Sequence, residues 1–252
     1  MSASRWLMRF VPRPDARLRL VCLAHAGGNA VFYRPWAHAL APAVDVVAVQ
    51  LPGRLDRVAE RPETDLLTAV DAIGAAIRAD GGGPVALFGH SMGALLAYEL
   101  ARRLPAGGNP VHHLMVSGHG DPRRAARQRL HQAPAAQLWQ HVISLNGTDP
   151  AVVAHPHLRD LVLPILRADY QLVEEYAWYP APVLSCPVTA FTGTEDPEVT
   201  PAEMAQWAEE TSGPFHLHRF PGDHFYLVPQ RAAVLAAVTA AIDAGTRSAG
   251  IG

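Results

Sequence analysis

Apolar residues along this chain fall into two alternating patterns. Short apolar runs read as strands: Arg17 to Leu23 in RLRLVCLAHAGG, the continuous buried run VDVVAVQLPGR (44–54), GGGPVALFGH (81–90) and VHHLMVSGHGD (111–121). Between them the spacing changes to that of a helix. FYRPWAHAL carries Pro35 in its first turn, and DLLTAVDAIGAAIRA places Leu66, Val70, Ile73 and Ile77 on one face. A further helix is predicted from Met92 to Leu104. Pro52-Gly53 marks a turn after the second strand.

The alternation stops at about residue 123 and resumes after about 182. In that interval APAAQLWQHVISL puts Leu138, Val142 and Leu145 together. LVLPILRADYQLVEEYAW puts Leu161, Ile165, Ala168, Leu172 and Tyr176 together, with Pro164 expected to kink or restart the helix. Then come strand PVTAFTG, helix TPAEMAQWAEET, strand FHLHRF and helix PQRAAVLAAVTAAIDA. Thr200 and Glu203 form a capping-box pattern around Pro201. The tail GTRSAGIG is expected to be disordered. Alternating strands and helices imply one α/β domain over 1–252, a mostly parallel central sheet with helices on both faces. The interval 123–182 becomes a helical lid insertion near the carboxyl ends of the strands, where such sheets bind ligands.

Composition narrows the function classes. The chain has 252 residues, 49% hydrophobic and 17% charged, enough for a large core and against a disordered chain. A net charge of -2 gives no basic footprint for nucleic acid. All 21 basic residues are arginine, which rules out a lysine Schiff base and a lysine-bearing phosphate loop. Cys22 and Cys186 lie in strand-like contexts and read as buried free thiols. No signal peptide or membrane span is evident, so a soluble cytoplasmic monomer is expected.

The chemistry centres on Gly89-His90-Ser91-Met92-Gly93, which fits G-x-S-x-G between a strand and a helix. The glycines suit a sharp turn that presents the Ser91 hydroxyl at the top of the sheet. A serine needs a base, and the base an orienting acid. The α/β-hydrolase order of serine, acid, histidine is met by Asp196 in TGTEDPEV and His224 in FPGDHFYLV. Both follow strands, on the same edge as Ser91. Asp121 is the rival acid; Glu195 should point elsewhere, and Asp223 is too local to His224. The oxyanion hole is assigned to the backbone N–H groups of Met92 and Ala26, with Gly27 as the fallback in LAHAGGN. His112, His113, His155 and His157 lack metal-ligand spacing and read as structural or surface residues. His90 is expected to pack or hydrogen-bond beside the turn. No metal or cofactor is called for.

With these residues in place, the chain resembles the type II (external) thioesterases of polyketide and non-ribosomal peptide synthesis, an α/β-hydrolase family. The matching stretches are LAHAGGNAVFYRPW, VQLPGRLDR, LFGHSMGALLAYELAR, LPILRADYQLVEEY, FTGTEDPEV and GDHFYL. The resemblance implies editing hydrolysis of acyl thioesters from the phosphopantetheine arm of acyl or peptidyl carrier proteins, through Ser91, Asp196 and His224. The segment SGHGDPRR departs from the family pattern and keeps Asp121 in view. Leu138, Trp139, Val142, Leu161, Ile165 and Tyr176 are candidates for the lid's acyl-facing side. Carrier proteins in such systems are generally acidic, so Arg123, Arg124, Arg127 and Arg129 are expected to help dock one. Arg102 and Arg103 are read as complementing a helix dipole. A free-standing carboxylesterase or an acyltransferase would use the same triad, because the fold does not fix the acyl acceptor. A catalytically dead binding protein would be expected to lack a triad member.

Overall fold

The computed structural model describes residues 5–81, 83–105, 108–124, 128–148 and 150–248. Seven strands form one sheet: β1 (Leu7–Met8), β2 (Leu18–Leu23), β3 (Val44–Val49), β4 (Val85–His90), β5 (Val111–Ser117), β6 (Val188–Gly193) and β7 (Phe215–Phe220). Their spatial order is β1-β3-β2-β4-β5-β6-β7. Among the described residues only β1 runs antiparallel, pairing Leu7 with Val49 and Met8 with Ala48. The other pairings are parallel, with Cys22 beside both Ala48 and Phe88.

The pleat explains why the strands read as unbroken apolar runs. Val21, Leu23, Val47 and Val49 face one core with helices α2 (Leu66–Ala79) and α3 (Met92–Arg103). Leu20, Cys22, Val46 and Ala48 face a second core with α1 (Arg34–Ala39) and α8 (Arg231–Ser248). Both faces are covered, so both sets of alternate residues must be apolar. Trp36, Tyr33, Phe88 and Phe191 form an aromatic chain through the second core. Asp65 caps α2 by accepting the Thr68 N–H at 2.7 Å. Thr200 and Glu203 close the expected capping box on α7 (Pro201–Ala205).

Between β5 and β6 come α4 (Ala135–Ser144), α5 (Pro150–Ala154) and α6 (Pro156–Glu174), with no strand among the described residues of the interval. Three expectations need correction here. Pro164 lies inside α6 as one continuous helix rather than restarting it. The buried face of α6 is Leu166, Ala168, Asp169 and Leu172, whereas Leu161 is 71% exposed. The apolar stripe is displaced because a carboxylate, Asp169, occupies a place in it. In the tail, α8 continues to Ser248, and 249–252 lie outside the described residues. Strand β1 leaves no mark in the sequence pattern, since two residues carry no readable period.

Cys22 and Cys186 are buried free thiols. Among the described residues no helix is long and apolar enough to cross a membrane.

His112 and His113 are structural. His112 Nε2 meets the Ile242 carbonyl at 3.2 Å, and His113 Nε2 meets Thr189 Oγ1 at 2.8 Å. Burial lowers the His113 pKa to about 4 from the usual 6.5. The unfolded chain therefore takes up this proton before the folded one does. The stability that neutral His113 contributes is complete above pH 6.5 and is lost as pH falls toward 4. The slope is at most about 1.4 kcal/mol per pH unit. Thermal melts are expected to drop across that window, and His113→Gln to flatten the drop.

Candidate active site

Ser91 sits where β4 becomes α3, with φ 55 and ψ -119. That is positive-φ backbone, costly for a residue with a Cβ. The turn is held by Ser91 N–H donating to the Ser117 carbonyl and Ala94 N–H donating to the Ser91 carbonyl, both at 2.8 Å. The two glycines of the motif have separate steric reasons. A Cβ on Gly89 would lie 1.9 Å from the Gly93 carbonyl oxygen. A Cβ on Gly93 would lie 2.1 Å from the Leu23 carbonyl oxygen, on the neighbouring strand β2. Only glycines let β4, α3 and β2 meet this closely. Ser91 is thereby lifted onto the N-terminus of α3, whose free N–H groups favour negative charge.

The loops after β6 and β7 bring the acid and the base together. His224 Nδ1 and Asp196 Oδ2 are 2.9 Å apart, both side chains nearly inaccessible. Asp196 Oδ1 accepts the Glu198 N–H at 2.9 Å, which fixes the carboxylate plane. Gly193 must be a glycine for this approach, since a Cβ there would lie 2.3 Å from the Asp223 carbonyl oxygen. Asp121 is engaged elsewhere: Arg123 Nη2 donates to its Oδ2 at 2.7 Å. Asp223 accepts from the Phe225 N–H and from Asn146. Of the acids weighed, Asp196 is the one hydrogen-bonded to His224.

Ser91 and His224 line two lobes of a cleft. One, about 520 Å³, is walled by Phe32, Trp139, Val142, Leu145, Val162 and Leu166. The other, about 260 Å³, is more polar, with His119, Asp121, Arg124, Gln128 and Glu198 on its walls. Ala26 borders both, and Met92 borders the second. Gly27 N–H already donates to Asp169 Oδ2 at 2.7 Å, so the fallback oxyanion donor is committed and Ala26 stands as the candidate. Among the described residues no cluster of three or more His, Cys, Asp or Glu could hold a metal.

Residues 18–242 match the thioesterase domain family. The chain belongs to the thioesterase family. It is 39% identical over 233 residues to the probable cadicidin biosynthesis thioesterase of Streptomyces griseus, covering 92% of this chain and 64% of that protein. It is 38% identical to the gramicidin S biosynthesis protein GrsT of Aneurinibacillus migulanus, covering 89% of this chain and 88% of that one. Among solved structures, the type II thioesterase BorB from the borrelidin biosynthetic cluster aligns with TM-score 0.88 and 42% identity, over 96% of this chain and 99% of that one. The sheet and its flanking helices are thus those of an α/β-hydrolase-fold thioesterase.

Other residues of this thioesterase were placed less well by sequence. Of the six lid residues, Trp139 and Val142 line the larger lobe, Leu138 is fully buried packing, and Tyr176 instead donates to Glu99 at 2.7 Å. Leu161 and Ile165 are not on either wall. Arg102 and Arg103 pair with the buried Glu99 and reach Tyr179, clamping the segment after α6. Arg123 is paired with Asp121, Glu209 and Glu210, and Arg124 with Glu203, so neither is a free docking charge. Arg127 lies outside the described residues.

The packing around the candidate base carries no signal in the sequence. The rings of His90 and His224 are 4.9 Å apart, and His90 Nδ1 bonds Ser117 Oγ, which bonds the Tyr226 hydroxyl. A Cβ on Gly118 would lie 2.9 Å from His90 Cε1 and 3.1 Å from His224 Cε1. His25 contacts His90 and Phe225 edge-on. Burial lowers the His25 pKa to about 3 and that of His90 well below its usual value, so both imidazoles stay neutral beside His224.

The acid can be tested by paired substitutions. Asp196→Asn keeps the shape but presents the wrong partner to His224 Nδ1; loss of such an acid costs roughly 10⁴ in kcat in the serine-protease precedent. A loss of that order is expected here, measured by thioester turnover. Asp121→Asn, whose carboxylate bonds Arg123 and not His224, is expected to stay within about threefold on a small acyl thioester that leaves the polar lobe empty.

Proposed function

We propose that this thioesterase hydrolyses acyl thioesters carried on the phosphopantetheine arm of acyl or peptidyl carrier proteins, and so clears stalled acyl groups from polyketide or non-ribosomal peptide assembly. The observation that carries this reading is the cleft, whose apolar and polar lobes meet at Ser91 and His224. An acyl chain suits the 520 Å³ apolar lobe, and the amide-bearing pantetheine suits the polar lobe. The relatives named in antibiotic biosynthesis support the substrate class.

In this mechanism Ser91 Oγ attacks the thioester carbonyl carbon and passes its proton to His224 Nε2. Asp196, at 2.9 Å from Nδ1, holds the ring and stabilises the imidazolium. The oxygen of the tetrahedral intermediate takes hydrogen bonds from the Met92 and Ala26 N–H groups. The carbon–sulfur bond breaks, and His224 returns the proton to the departing sulfur. Water then enters, gives a proton to His224 and attacks the acyl-serine carbonyl. Collapse frees the carboxylic acid and restores Ser91. A thiolate leaves more readily than an amine, so the site needs less leaving-group assistance than a protease.

The test is intact-mass analysis of a carrier protein bearing a short acyl group on its phosphopantetheine. Loss of the acyl mass with wild type, and none with Ser91→Ala, is expected. No loss with either, together with Ser91-dependent cleavage of simple oxygen esters, would overturn this reading in favour of a carboxylesterase.

A further inference from the structure

The turn that carries Ala26 is held from the far side by a buried ion pair. Residues 25–28 form a turn closed by Gly28 N–H donating to the His25 carbonyl at 2.9 Å. Gly27, at its third position, has φ 77, the pattern of a type II turn. Asp169 on α6 accepts the Gly27 N–H through Oδ2 at 2.7 Å. Arg54, in the loop after β3, forks onto the same carboxylate, Nη2 to Oδ1 at 2.7 Å and Nη1 to Oδ2 at 2.9 Å. Arg54 Nη1 also donates to the Gly28 carbonyl at 2.9 Å. The ion pair therefore grips both polarities of the turn, one N–H and one C=O. Gln50 adds a third tie, accepting the Ala30 N–H at 3.0 Å while donating to the Arg54 carbonyl. The two charged side chains are 5% and 1% exposed.

Burying such a pair carries a desolvation penalty, and an apolar pair of similar volume is often as stable or more so. What an apolar pair could not do is bond the turn. A type II turn and its type I alternative differ by a flip of the central peptide, here Ala26–Gly27. A flip would aim the Ala26 carbonyl at the Asp169 carboxylate, which repels it. We infer that Asp169 and Arg54 are positioning residues: by anchoring the Gly27 N–H and the Gly28 carbonyl they fix where the turn sits, and so hold the Ala26 N–H, which belongs to the preceding His25–Ala26 peptide, at the oxyanion site. Helix α6 thereby becomes part of the catalytic frame. Leu166, one turn earlier on α6, presses on the same turn: a Cβ on Gly27 would lie 2.7 Å from its Cδ2. The inference rests on the oxyanion assignment made above.

The test replaces the pair by an apolar one, Arg54→Met with Asp169→Leu, and compares it with Asp169→Asn, whose amide oxygen can still accept the Gly27 N–H. Turnover is followed on a small acyl thioester and on an aryl acetate. Binding is measured for an acyl trifluoromethyl ketone, which forms a tetrahedral oxyanion on the serine, and for a thioether analogue, which does not. Loss of one oxyanion donor costs about 10²–10³ in kcat, and a misplaced one is expected to cost at least about tenfold. The expected result is a folded double variant with that loss in kcat, an equal loss of ketone affinity, and KM and thioether affinity within about threefold. Asp169→Asn should fall between it and wild type. Turnover within threefold of wild type, or equal losses for ketone and thioether, overturns the inference. If the double variant does not fold, the same comparison on Asp169→Asn decides, parallel kcat and ketone losses supporting the inference and unchanged values opposing it. Wild type that cleaves the acetate but no thioester would defeat the thioesterase reading while leaving the turn's role decided on the acetate.

Discussion

The structure depends on one strained residue. Ser91 holds a backbone conformation that costs a residue with a Cβ about 1–3 kcal/mol, and three strands and a helix are arranged around keeping it there. Gly93 lets α3 press on the end of β2, and Gly89 lets α3 cross over β4. The Ser117 carbonyl at the end of β5 accepts the Ser91 N–H. Because the sheet from β2 to β7 is parallel, the loops after β2, β4, β5, β6 and β7 open on one edge. The turn bearing Ala26, the serine, Gly118, Asp196 and His224 are the contents of those loops, taken in order. A small set of backbone contacts thus converts sheet topology into a constellation.

The helical insertion closes this edge without being uniformly attached to it. Helix α6 is fixed by the Arg54–Asp169 pair and by Leu166 on the turn. Moving it outward would part a buried ion pair, a disruption of about 3–5 kcal/mol when one partner is lost. At its far end Glu174 accepts the Leu130 and His131 N–H groups, and Arg167 donates to the His131 carbonyl. Those bonds anchor the chain entering α4. The segment from α4 through α5 supplies Trp139, Val142 and Val152 to the apolar lobe, so in the proposed function the insertion faces the acyl chain while Ser91, Asp196 and His224 stay on loops of the sheet.

Much of this was legible in the sequence, for physical reasons. Strands buried on both faces are continuous apolar runs, so β2 through β6 could be read from VCL, VVAV, VALF, LMV and VTAF. The serine turn announced itself through its glycines, and His224 and Asp196 through their position after the last two strands. Periodicity counts Asp169 as outward, so the sequence points to a different face of α6 from the one that is buried. The burial of Asp169 is stabilised by Arg54, distant in sequence, and nothing local reports that partner. The arginines at 123 and 124 looked like a free basic patch because their acids, Glu203, Glu209 and Glu210, lie far along the chain. His90 was recognised as a packing residue, but its contact with His224 required the three-dimensional meeting of β4 and the loop after β7.

The central claim is that an acyl group passes through a covalent bond to Ser91. The most direct measurement is rapid-quench mass mapping of the enzyme after mixing with acyl-loaded carrier protein, with His224→Gln included to slow deacylation. The acyl mass is expected on the peptide containing Ser91, transient in wild type and persistent in whatever fraction His224→Gln acylates. Thioester hydrolysis at full rate in wild type, with no acyl mass on that peptide at any quench time, would contradict it.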